Sequence, residues 1–247
     1  MKRLFSRPTI LGIFLTGIVI SGCVTVEHQG KSSKNGVIDY SHPSRYLSNG
    51  LDTQMPYEEW ITIEPMLKDK NLDECIVTVY DWKRKHFNHT QGGGVLVGKN
   101  NVENILLTRE LSGCHDHALL VASVLRSAGH PVIMVDTAGI DWARQYRQGK
   151  AQGHWGHVFL ELYDGAKWLV LDSTRPIVIR NYDPQNCFIP ITNPIEPVGF
   201  YTMLKGIDPD DYGVHSLEDL YLHMNRFAAG FKVSNIDMPN YDIEILK

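Results

Sequence analysis

Apolar positions between 114 and 128 recur at helical spacing: Cys114, Ala118, Val121, Ala122, Leu125 and Ala128 form a single stripe. Ser112 is the expected N-cap and Asp116 places negative charge in the first turn. Gly129 and Pro131 end the helix. After Gly156 the period changes to two. Val158, Leu160 and Leu162 alternate with His157, Phe159, Glu161 and Tyr163; Asp164-Gly165 is a two-residue turn signal, and alternation resumes from Lys167 to Asp172. A hairpin in which Tyr163 pairs with Ala166 sets His157 directly opposite Asp172, with Cβ atoms about 4.5–5.5 Å apart. It has one apolar face (Val158, Leu160, Leu162, Leu169, Leu171) and one mixed face.

Other elements are less sharply marked. Tyr57 to Leu67 reads as a short helix interrupted at Pro65, and Leu72 to Phe87 as a helix with Ile76, Val79, Tyr80, Lys83 and Phe87 inward. Gln91-Gly-Gly-Gly94 is a turn or a mobile loop, without the lysine of a phosphate loop. Beyond Pro176 the chain is irregular, with Pro184, Pro190, Pro194 and Pro197; Ile189 to Ile195 is expected as an edge strand, where prolines are tolerated. Ser216-Leu-Glu-Asp opens a helix to about Phe227, with Leu217, Leu220, Tyr221, Met224 and Phe227 on one face. This tail either covers part of a cleft or is structural. No internal repeat is visible.

These elements bring three reactive residue types into one frame. Cys114 sits in the first turn of a buried helix, where free N–H groups and the positive dipole end favour a thiolate. A cysteine, a histidine and an aspartate are a nucleophile, its base and the group that orients the base. The Cys114 N–H can hold an oxyanion, and Trp82 and Gln91 are candidates for a second donor. Cys114, His115, His117, His154 and His157 could instead ligate zinc. However, adjacent residues such as Cys114 and His115 point to different sides of a helix, and no Cys-x-x-Cys pair exists. The expectation is no metal, with His115 and His117 solvent-facing or in polar contacts beside the cleft and His154 in the loop before the strand. Phe159 and Trp168 are expected as core and cleft wall. Glu161 is either a partner of His157 or, as expected, a surface acid.

Several motifs resemble the transglutaminase-like superfamily over about residues 75–176. They are Gly113-Cys114 leading a helix that ends Leu-Arg-Ser-Ala-Gly-His-Pro, the His-x-Phe-x-Glu-x-Tyr strand, the Gly-x-x-Trp turn and Asp-Ser-Thr. Asp81-Trp82 and the aromatic Phe87 look like the helix that precedes the cysteine motif in relatives. The resemblance implies an α+β, papain-like fold, with the cysteine-bearing helix packed on an antiparallel sheet that carries histidine and aspartate. It also implies a triad of Cys114, His157 and Asp172. Ser173, where many members have proline, and the His-Asp-His run after Cys114 depart from the pattern. The superfamily spans cross-linkers, cysteine peptidases, amide-cleaving enzymes and inactive members, so fold alone does not choose. The expected activity is a cysteine peptidase or amidase acting on a peptide, protein or cell-wall peptide. Protein-glutamine cross-linking and non-catalytic binding in the envelope are the alternatives. This chemistry requires no cofactor, and no acidic calcium loop is apparent.

The N-terminus sets the compartment. Lys2, Arg3 and Arg7 precede an apolar run from Thr9 to Ile20, a secretory signal too short and hydroxyl-broken for a membrane span. Ile20-Ser21-Gly22-Cys23 resembles the bacterial lipobox, which implies lipidation of Cys23, attachment to a membrane, and a cell-envelope location facing the periplasm or exterior. The expected division is a signal peptide over 1–22, a tether over 23–48 and one domain over 49–247. The 247 residues, 43% hydrophobic, suffice for one core. Removal of the signal leaves 21 basic against 28 acidic residues, and no basic cluster interleaves with aromatics, so nucleic acid is excluded as a partner. Three further thiols remain; Cys75 and Cys187 are either a disulfide pair or both buried, leaving Cys114 as the odd one.

Overall fold

A computed structural model describes residues 37–90, 94–231 and 236–247. After a 3-10 turn at Pro43–Tyr46, helices α1 (Tyr57–Leu67) and α2 (Leu72–His86) lead into a short strand, β1 (Asn88–His89). Helix α3 (Val102–Thr108) and strand β2 (Glu110–Leu111) precede α4 (Cys114–Ser127). Then come β3 (Val132–Gly139), α5 (Ile140–Arg147), β4 (Gly156–Tyr163), β5 (Trp168–Asp172) and β6 (Ile177–Ile179). Strands β7 (Phe188–Ile189) and β8 (Phe200–Gly206), helix α6 (Leu217–Gly230) and strand β9 (Ile243–Ile245) complete the chain. The main sheet is antiparallel, in the order β7-β8-β3-β4-β5-β6-β9, and β1 and β2 form a separate parallel pair.

Helix α4 packs across β3 and β4, and every residue from His115 to Arg126 is buried. The apolar face expected of the hairpin, Val158, Leu160, Leu162, Leu169 and Leu171, meets it in the main core. At the far end of α4 the buried Arg126 donates to the carbonyls of Val132 and Ile207 and to Thr53 Oγ1, joining the helix to β3, to the turn after β8 and to the N-terminal segment. The opposite face of the sheet is also covered. Ile133, Val135, Phe159, Val170 and Phe200 form a second core with Tyr46, Trp168 and Tyr182.

That second core corrects two expectations. The tether ends before residue 48, because Tyr40 and Tyr46 stand edge-on to the Trp168 ring at 5.4 and 5.9 Å. Glu161 is not a surface acid. It is fully buried and accepts hydrogen bonds from Tyr40, Tyr182 and Lys205.

The hairpin register also differs. Asp164 Oδ1 accepts from the amides of Ala166 and Lys167, which makes residues 164–167 a four-residue loop instead of a two-residue turn. Pairing therefore starts at Tyr163 with Trp168, and Asp172 lies opposite Phe159. The shift is even, so the faces survive and His157 is the diagonal neighbour of Asp172.

Helix α1 runs through Pro65 without interruption, the proline lying near its C-terminal end. Helix α2 has the capping box of Asn71 and Glu74, and α6 is capped by Ser216 as expected. The edge strand β7 is shorter than the expected 189–195 segment.

Candidate active site

Gly113 is the N-cap of α4 and Cys114 its first helical residue. A Cβ on Gly113 would lie 3.1 Å from the Gly94 amide nitrogen, so the Gly94 backbone sits close against the start of the helix. Ser112 is not the cap. Its amide and hydroxyl both donate to the Asp116 carboxylate at 2.7 Å, and Asn100 donates to the other oxygen at 3.0 Å. The acid of the first turn reaches back and fixes the entry to the helix, and the first amides of α4 are left without intrahelical partners.

His157 is the second residue of β4 and Asp172 the last of β5. His157 Nε2 lies 2.8 Å from Asp172 Oδ1, and the imidazole hydrogen-bonds Cys114. With Nε2 on the carboxylate, Nδ1 is the ring nitrogen left for the thiol. The structure thus brings Cys114, His157 and Asp172 into one hydrogen-bonded row.

Electrostatics follow from this row. Burial works to raise the Cys114 thiol, but the hydrogen bond from His157 and the charges of His157 and His115 outweigh it and hold the group below the ordinary thiol range. Burial likewise opposes charge on His157, yet hydrogen bonds to Asp172 and Cys114 raise it to about 9. Asp172 is held well below the usual carboxylate range, because His157 and Thr174 outweigh its burial.

Three residues not expected from the sequence hold Asp172 in place. Thr174 donates through its amide and hydroxyl to Oδ1, at 2.9 and 2.7 Å. Arg175 donates through Nε and Nη2 to Oδ2, at 2.9 and 2.7 Å. From α2, the Tyr80 hydroxyl donates to the Asp172 carbonyl and Lys83 Nζ to the Ser173 carbonyl at 2.8 Å. Ser173 Oγ in turn donates to the Cys114 carbonyl at 3.3 Å. A local signal existed for Thr174 and Arg175, since an aspartate followed by threonine at i+2 and arginine at i+3 is turn chemistry.

The histidines beside the cysteine are not solvent-facing. His115 is 3% exposed and its Nε2 lies 2.8 Å from Asp136 Oδ1, while Tyr212 donates to Oδ2 at 2.6 Å. Burial opposes its charge, but Asp136 prevails and raises it to about 9. His117 is also buried, with Nε2 3.0 Å from His89 Nδ1; burial, then the charges of Lys83, His89 and His157, push it down to about 3. His154 sits in the loop before β4, stacked on Tyr221 at 3.9 Å and bonded to Asn225. Among the described residues no group of three or more His, Cys, Asp or Glu side chains is placed to hold a metal ion.

The remaining candidates are dispersed. Trp82 packs edge-on to Phe87 in the main core. Gln91 and Cys23 lie outside the described residues. Cys75 and Cys187 are not joined in a disulfide. The Cys75 thiol faces the carbonyls of Leu67 and Lys70 after α1, whereas Cys187 lies beside β8 at the sheet edge.

Among solved structures, the chain is similar to a candidate cysteine protease from Cytophaga hutchinsonii. They share 15% sequence identity at a TM-score of 0.46, over 72% of this chain and 50% of that one. The chain therefore spans about half the length of that structure. No curated protein matches the chain. The family model of the transglutaminase-like superfamily matches residues 62–173, a stretch that encloses Cys114, His157 and Asp172. The chain carries, over residues 62–173, a domain of the transglutaminase-like superfamily.

Proposed function

We propose that the protein is a thiol enzyme that cleaves a peptide or amide bond through a Cys114 thioester. The observation that carries this reading is the hydrogen-bonded row from Cys114 through His157 to the buried Asp172. Cys114 attacks the carbonyl carbon as thiolate, and the first amides of α4 stabilise the oxyanion. His157, protonated in the resting pair, gives its proton to the leaving amine as the C–N bond breaks. Water then enters, His157 takes a proton from it, and the acid leaves as sulfur is released. Asp172, clamped by Thr174 and Arg175, keeps the imidazole oriented throughout.

The test is release of amine from peptide and acyl-amide substrates, with and without a primary amine as competing acceptor. Cys114→Ala abolishes turnover while the melting temperature is kept, because the change removes little volume. Turnover retained in that variant overturns the reading. Product that incorporates the added amine assigns the enzyme to cross-linking instead of hydrolysis. We further propose that the enzyme works in the cell envelope, lipid-anchored at Cys23; the support is the basic, apolar and Ile20-Ser21-Gly22-Cys23 pattern of its N-terminus.

A further inference from the structure

Next to the triad lies a cavity of about 680 Å³ that the chemistry above leaves unused. Thr174 and Arg175, which hold Asp172, form part of its wall, as does His117 one turn after Cys114. Apolar side chains from α2 and β2, Val77 and Leu111 among them, line it elsewhere. Lys83 does not fit this apolar surround. It is 5% exposed, its Nζ donates to the Ser173 carbonyl, and it lies 3.9 Å over the Tyr80 ring.

Among the described residues, no carboxylate comes within ion-pairing distance of that ammonium. Asp172 attracts it through space, but both oxygens of Asp172 are taken by His157, Thr174 and Arg175. Arg84 and Asp81, also in the wall, neutralise each other at 2.9 Å. His89 and His117 occupy each other. A buried cation without an anion is costly, and burial drives Lys83 down to about 7. An anion entering the cavity removes that cost. The Arg175 side chain, 47% exposed and ion-paired with Asp172, stands in the same wall, as does Lys247.

We propose that this cavity is a subsite for a carboxylate group of the substrate, with Lys83 as its ion-pair partner and Arg175 beside it. The inference rests on the proposed peptide chemistry only for the carrier, which makes the carboxylate either an acidic side chain or a free C-terminus. Apolar walls suit the peptide that bears it. Binding above pH 7 takes up a proton, because the anion favours the charged form of Lys83.

The experiment is calorimetric titration of the full Cys114→Ala protein at about pH 8, above the Lys83 value of about 7, in two buffers of different ionisation heat. The probes are acetyl-Ala-Glu-Ala-amide, acetyl-Ala-Gln-Ala-amide and acetyl-Ala-Ala-Ala with a free carboxylate. At least one anionic peptide binds about tenfold or more tightly than the neutral one, with proton uptake, and the tighter of the two identifies the source of the carboxylate. Lys83→Met and Lys83→Gln each bring its affinity down to that of the neutral peptide. The glutamine keeps a donor for the Ser173 carbonyl, which guards against a collapsed site. Equal affinity for all three peptides, no binding at all, or a preference that survives in a folded Lys83 variant overturns the proposal. Because binding is read without turnover, an inert wild-type enzyme refutes the peptidase reading and leaves this result standing.

Discussion

The Asp172 carboxylate accepts five hydrogen bonds, from His157, Thr174 and Arg175, while fully buried. Its ionised form is so well satisfied that, in the proposed mechanism, it is the fixed charge against which His157 and Cys114 exchange a proton. A second buried pair, His115 with Asp136, lies one residue from the nucleophile. His115 has a folded value of about 9 against an ordinary 6.5, so its contribution to stability is complete below about pH 6.5 and is lost as pH rises through about 9. Urea unfolding of His115→Gln against wild type therefore gives a larger stability difference at pH 6 than at pH 9.5. A difference independent of pH contradicts a charged His115. Glu161 and Asp136 illustrate what single positions conceal. A lone acid in an apolar strand signals burial, but the partners of Glu161 are Tyr40, Tyr182 and Lys205, dispersed along the chain and carrying no local pattern.

Helix α2 holds the site at element scale, since Tyr80 and Lys83 both grip the backbone where β5 ends. Tyr80→Phe leaves the buried Asp172 carbonyl without that donor and costs about 1–3 kcal/mol in unfolding free energy. Turnover falls with it, through misplacement of Asp172; unchanged stability and turnover would show that the clamp is dispensable. The elements readable in the sequence were those with both a period and an end signal. Helices α2, α4 and α6 have stripes and stops, and the β4–β5 hairpin has strict alternation. Strand β3 was not readable because all eight of its residues are buried, which erases the period of two. Strand β8, also missed, follows an irregular, proline-rich stretch. The hairpin register differs by two residues from the one its sequence implies, because the Asp164 side chain builds a longer loop than the Asp-Gly pair suggests, yet an even shift keeps His157 and Asp172 on one face.

Across the whole molecule, the sheet is a partition between two cores, with α4 and its thiol on one side and the Tyr40–Trp168 layer on the other. Among the described residues no helix is long and apolar enough to cross a membrane; the attachment proposed above is through Cys23. Cys23→Ser releases the protein from membranes into the soluble fraction; persistence in the membrane fraction would mean that the apolar run itself is the anchor. The proposed thiolate–imidazolium pair of Cys114 and His157 is tested by the rate of Cys114 alkylation by iodoacetamide from pH 4 to 9, beside His157→Ala. The pair predicts a rate that rises well below the ordinary thiol value of about 8.5, with that low-pH limb lost in His157→Ala. A single rise near the ordinary thiol value in both proteins would contradict it.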